Sequence, residues 1–145
     1  MTLHELNEHY RLRRDLARAM QLRDSLREAV VPGAQALTGM PRAPGYRDKL
    51  GDLTAEIVDV SRDIDRLKMQ ISAQEKAISA FVQGIDDPFV RTVFTLRFLR
   101  MMTWDDVADT VGGGNTRASV SSICYRYLKT CRTTIHMLND NTQKV

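Results

Sequence analysis

The chain has 145 residues and a formal net charge of +3. That length suits one compact domain, or a small domain with a long helical extension, and excludes a TIM barrel or a two-domain dinucleotide enzyme. Aromatic residues make up 6% and charged residues 27%, with 8 Gly and 4 Pro, a composition that leans to helix and coiled coil rather than sandwich or barrel.

The first block, residues 3–30, has no Gly or Pro and carries six Arg against five acids. Leu3, Leu6, Tyr10, Leu12, Leu16, Met20, Leu26 and Val30 recur at helical, imperfect spacing. Residues 31–45 hold Pro32-Gly33, Gly39, Pro41 and Pro44-Gly45, which stop the helix and make a loop. A second helix is predicted over residues 46–84. Its seam runs Tyr46, Leu50, Leu53, Ile57, Val60, Ile64, Leu67, Ile71, Gln74, Ile78, Phe81, Ile85 in steps of four and three, with eleven of twelve positions apolar. A repeat of 3.5 residues sustained this long predicts a coiled coil. Gln74 either fixes register or faces water at a splayed end. The seam is longer than the first helix, so it favours a homodimer over a simple intrachain hairpin.

Residues 86–138 read as a separate helical domain. Asp87 is a candidate N-cap with Pro88 at the first helical position, opening a helix that reaches about Arg100. Thr103 caps a short helix over residues 104–111, with Asp105 and Asp106 at its positive end. Gly112-Gly113-Gly114 breaks it, and Asn115 or Thr116 caps a last helix to about Leu138. Residues 139–145 are a polar, flexible tail.

No apolar run approaches the roughly 20 residues of a membrane span, and the N-terminus has no signal-peptide core. Cys124 and Cys131 are seven apart, roughly 10 Å on a helix, too far for a disulfide. Two lone thiols suit a reducing cytoplasm, where they act as small buried apolar residues. His4, His9 and His136 have no metal-ligand spacing, and no hydrolase, metalloprotease or phosphate-loop motif occurs. No catalytic residue, metal or cofactor is expected.

A short helix, a glycine turn and a helix with a polar start form a helix-turn-helix pattern, whose second helix lies in the major groove of double-stranded DNA. The candidate DNA-binding residues are Asn115, Thr116, Arg117, Ala118, Ser119, Ser121 and Ser122, with Arg126 and Lys129, and beyond them Arg132, placed to meet phosphates. Val120 and Ile123 would face a small core of Val107, Ala108 and Val111. Residues 86–110 carry three bases and five acids, whereas residues 111–145 carry five bases and one acid. The positive charge therefore concentrates on the last helix.

Three stretches resemble region 4 of sigma factors: Val93-Phe94-Thr95-Leu96-Arg97-Phe98, then Thr103-Trp104-Asp105-Asp106-Val107, then Thr116-Arg117 with Val120 and Ile123. The glycine turn sets Thr116 two residues later than in the sigma pattern. The whole chain is similar to small phage and prophage late-gene regulators of the RinA/ArpU type: a first helix, a loop with a Met-Pro element (Met40-Pro41), a long helix, then a sigma-like helix-turn-helix. The resemblance implies a transcriptional regulator that binds DNA and is able to contact RNA polymerase. The expected fold is all-α, an N-terminal two-helix coiled coil (1–85) followed by a C-terminal three-helix helix-turn-helix domain (86–138). The other readings are a coiled-coil interaction module that contacts RNA polymerase or a phage component without DNA, and a terminase small subunit.

Overall fold

A computed structural model describes residues 1–31 and 46–142, and all the regular structure among them is helical. Five α-helices follow in order: α1 Leu3–Val30, α2 Tyr46–Gln83, α3 Pro88–Phe94, α4 Trp104–Val111 and α5 Arg117–Thr142. Residues Thr95–Leu99 continue α3 as a π-helical turn. The expected loop, including Met40-Pro41, lies outside the described residues from 32 onward, as do residues 143–145 of the expected tail. Residues 139–142 belong to α5, which runs four residues past its expected end.

Packing divides the chain into two compact units, Met1–Tyr10 with Ser72–Val145, and Arg11–Ile71. The division does not fall at residue 85. Both α1 and α2 contribute to both units. In the second unit, Leu26 of α1 is buried with Val60 and Ile64 of α2, and Leu16, Met20, Leu53 and Ile57 pack around them. The α2 seam is therefore met, over this stretch, by α1 of the same chain. In the first unit, Leu6 of α1 and Ile78 of α2 are both fully buried in one cluster. Gln74, the polar seam residue, donates from Nε2 to the Glu5 carbonyl of α1 at 3.0 Å. Its amide thus fastens the first turns of α1 to α2 within the chain.

The short helices start where local chemistry dictates. The Asp87 carboxylate accepts from the Phe89 and Val90 amides at 2.8 and 3.2 Å, satisfying two of the orphan donors of α3. Arg91 forks back onto the Ile85 carbonyl through Nε and Nη2, at 3.0 and 2.7 Å, which pins the turn between α2 and α3. The π-helical turn is closed by the Arg100 amide on the Thr95 carbonyl at 2.9 Å. It ends the helix one residue before the expected Arg100.

The first unit has two cores. The larger joins Leu6, Ile78, Val82, Ile85, Val90, Phe94, Phe98, Cys124 and Leu128. Phe94 lies at its centre, with ring centroids 5.8 Å from Phe81, 5.6 Å from Phe98 and 5.6 Å from Tyr127. Full burial of one such ring stabilises by about 1.5–3 kcal/mol, and each ring pair adds about 0.5–1.5. The smaller core joins Val93, Val107, Ala108 and Val120, with Leu96, Met102, Trp104 and Val111 around it. Val120 thus sits against the expected partners. Ile123 instead packs on the larger core.

Arg97 links the two cores. Its guanidinium carbon lies 4.6 Å from the Tyr10 ring centre and 4.8 Å from that of Trp104. Nη1 donates to the Met102 carbonyl at 2.6 Å, and the Tyr10 hydroxyl donates to the Arg97 carbonyl. Met102 follows Met101, the one described non-glycine residue with positive φ, at 60°. Lysine has neither the planar fork nor the stacking face. Arg97→Lys should therefore lower stability by about 2–3 kcal/mol in urea unfolding. A loss below about 0.5 kcal/mol would show that the two rings and Met102 hold together without it.

Burial also makes the stability of the fold sensitive to alkaline pH. The Cys124 thiol is pushed up from 9.0 to about 12, mainly by burial. Burial raises Tyr10 and Tyr127 as well. The folded chain keeps these protons where the unfolded chain releases them. For Cys124, that stability is complete below about pH 9 and is lost as pH rises from there towards about 12. The urea midpoint should fall between neutral pH and about pH 10.5, and Cys124→Ala should lessen the fall. A midpoint flat across that range would contradict the burial of these groups.

Candidate nucleic-acid interface

The segment singled out by sequence is built by the α4–turn–α5 region. Thr103 caps α4: its Oγ1 accepts from the Asp106 amide at 3.2 Å and donates to the Asp106 carboxylate at 2.7 Å. Gly112, Gly113 and Gly114 then follow with φ of 61°, 66° and 74°. Three successive residues in the left-handed region explain the glycines, since a Cβ there is strained whatever the space around it. The Asn115 side chain closes the turn, donating from Nδ2 to the Gly112 carbonyl at 2.8 Å.

Thr116 is the N-cap of α5. Its Oγ1 accepts from the Ser119 amide at 3.2 Å, and the Ser119 hydroxyl accepts from the Thr116 amide at 2.9 Å. This is a reciprocal capping box with serine in the usual glutamate position. Val120, Cys124 and Leu128, four apart, form the buried stripe of the helix. Ala118, Ser122, Tyr125, Arg126, Lys129, Arg132 and Thr133 are exposed. Most of them lie opposite that stripe.

The nine candidate residues therefore separate by what their polar groups do. Asn115, Thr116 and Ser119 serve the turn and the cap. Ser121 is half-buried, and its hydroxyl donates to the Ala118 carbonyl at 3.2 Å. Ala118, Ser122, Arg126 and Lys129 share the exposed face. Arg126 donates from Nε to the Ser122 carbonyl at 3.3 Å, which holds its stem along the helix. Arg117, at the first helical position, pairs with Asp105 of α4, Nη1 to Oδ2 3.6 Å.

Tyr125 was missed by sequence reading. It is exposed, and its ring lies 6.1 Å from that of Trp104, edge to face. Its place three residues after Ser122 and four before Lys129 was available from helical spacing alone. The contacts of Trp104 itself, with Phe98 at 6.3 Å and with Arg97 above the ring, place it in the core-side packing of α4.

The exposed face offers cationic donors and small side chains, and no acid occurs on α5 before Asp140. Small residues near the start of a helix let its backbone approach a partner surface closely, while Arg and Lys supply donors to phosphates or to the acceptor edges of bases. No group of three His, Cys, Asp or Glu side chains among the described residues is arranged to hold a metal ion, and no described helix is long and apolar enough to cross a membrane. Comparison of the chain with protein-family models, with curated proteins and with solved structures gives no match.

The glycine turn generates a test with an internal control. Gly112 combines φ 61° with ψ −149°, a region essentially restricted to glycine. Gly112→Ala should cost about 1–3 kcal/mol in thermal or urea melts. Gly51 lies inside α2, and a Cβ added there would meet nothing within 4 Å, so it is a plain helix interior. Gly51→Ala should stabilise by up to about 1 kcal/mol. Equal effects at the two sites would contradict the turn geometry.

Proposed function

We propose that this protein is a sequence-specific transcriptional regulator of phage or prophage type, similar to the RinA/ArpU regulators, that binds double-stranded DNA. In this reading α3, α4 and α5 form a three-helix helix-turn-helix resembling sigma region 4, and α5 enters the major groove from Thr116 onward. The observation that carries the reading is the face of α5. Directly after a tight turn, Ala118, Ser122, Arg126 and Lys129 are exposed together, while Val120 and Cys124 on the other side are buried. A groove-reading helix needs small residues where it meets bases, cations where it meets phosphates, and an apolar stripe that fixes its orientation.

Here α1 and α2 act as the coiled-coil part that sets the oligomer. Leu22 of α1 and Leu50, Val58 and Met69 of α2 remain exposed, leaving apolar surface for a second copy in a homodimer. Dimeric readers bind paired half-sites. The reading places the protein in the cytoplasm, gives it no catalytic role or cofactor, and allows a contact with RNA polymerase as in sigma-like domains.

Selection from a random duplex pool tests it, combined with salt titration of the winning sequence and light scattering. A recurring sequence, bound with an affinity that falls steeply with salt, is expected. Arg117→Ala should then cost about 1–3 kcal/mol on the selected sequence. Lys129→Ala should weaken all duplexes alike and lower the salt slope by about one. No enrichment and no salt-dependent binding would overturn the reading, in favour of a protein-interaction module. A particle of about eight or more subunits would favour a terminase-like ring.

A further inference from the structure

Two adjacent acids open α4, and the structure gives them different work. Asp106 closes the Thr103 cap through both its amide and its carboxylate. Asp105 reaches across the glycine turn to Arg117. Helix α5 has no acid in its first turn, so Arg117 stands at a positive helix end, and among the described residues its ion-pair partner is Asp105. The pair does little for stability: the two side chains are 67% and 69% exposed, and such pairs are screened by solvent.

We infer that Asp105 is a specificity-determining positioning residue for α5, directing the Arg117 guanidinium away from phosphates and towards base edges. This rests on the DNA-binding reading above. Non-specific binding is driven almost wholly by cations on phosphate, whereas an arginine fork onto guanine reads sequence. A carboxylate at 3.6 Å from one terminal nitrogen of Arg117 opposes the first interaction. It leaves the Nε and Nη2 edge of the guanidinium able to make the second. Specificity gained by penalising the wrong partner is a general device of selective interfaces.

The test measures binding to the selected duplex and to a scrambled duplex of equal length, for wild type, Asp105→Asn, Asp105→Glu, Arg117→Ala and the Asp105→Asn/Arg117→Ala double variant. Melting curves confirm that each folds, and Asp105→Ser serves in place of any Asp105 variant that does not. In Asp105→Asn the ratio of selected to scrambled affinity should fall about five- to tenfold, chiefly because scrambled DNA binds tighter. Asp105→Glu should restore most of the ratio. In the Arg117→Ala background, Asp105→Asn should leave the ratio unchanged within about twofold. A purely structural role would lower the melting temperature without moving the ratio. An unchanged ratio in Asp105→Asn, or an equal fall with Arg117 removed, overturns the inference while leaving the DNA-binding reading intact. Wild-type protein that selects no DNA at all overturns both.

Discussion

The guanidinium of Arg97 is the point on which the first compact unit depends. It lies between the rings of Tyr10 and Trp104 and holds the Met102 carbonyl. Through those contacts, the start of α1, the π-helical turn, the strained Met101 corner and the first residue of α4 are fixed to one another. Trp104 passes the constraint to α5 through Tyr125. The arrangement has a cost. Arg97 Nε is buried without a hydrogen-bond partner, and a buried unsatisfied donor costs about 1–3 kcal/mol. Two ring faces, each worth about 0.5–2 kcal/mol to a desolvated cation, and one short charged bond to a carbonyl outweigh it.

Sequence carries what is decided within a few residues and loses what is decided across the chain. The caps at Asp87, Thr103 and Thr116, the proline at the start of α3 and the break at Gly112 are all local, and each is where spacing and residue type place it. The α2 seam was legible because a 3.5-residue repeat needs no knowledge of its partner. The partner itself was not. Nothing in the pattern says that Leu26 of the same chain covers Val60, or that Gln74 meets the Glu5 carbonyl. Tyr10 and Arg97 are 87 positions apart, and no periodicity joins them. The compact unit that contains both therefore cuts across the expected boundary at residue 85.

The candidate interface shows the same limit at the level of single atoms. Residue type alone groups Asn, Thr, Ser and Arg as candidate base readers, because all carry donors or acceptors. Position in the cap separates them. A hydroxyl that satisfies a helix-end amide is committed, since leaving that amide unpaired costs about 1 kcal/mol. So Thr116 and Ser119 shape the start of α5, and Ser122, Arg126 and Lys129 are left exposed on the candidate interface. Charge sorts in a similar way. The cations of α5 have no acid on their own helix before Asp140, and the nearest compensation for Arg117 comes from α4.

That compensation depends on the glycine turn. Gly112, Gly113 and Gly114 add length but no side chains, so nothing in the turn itself directs α5. Its direction comes from what lies on either side: Asn115 on the Gly112 carbonyl, Val120 against Val107 and Ala108, and Asp105 against Arg117. The first two are short-range or buried and hold the helix in place. The third is exposed and weak, too weak to orient a helix, and it bears on one side chain alone. A tight turn between two well-anchored helices thus brings Arg117 within reach of an acid on the preceding helix. On the inference drawn above, that acid sets where the arginine points.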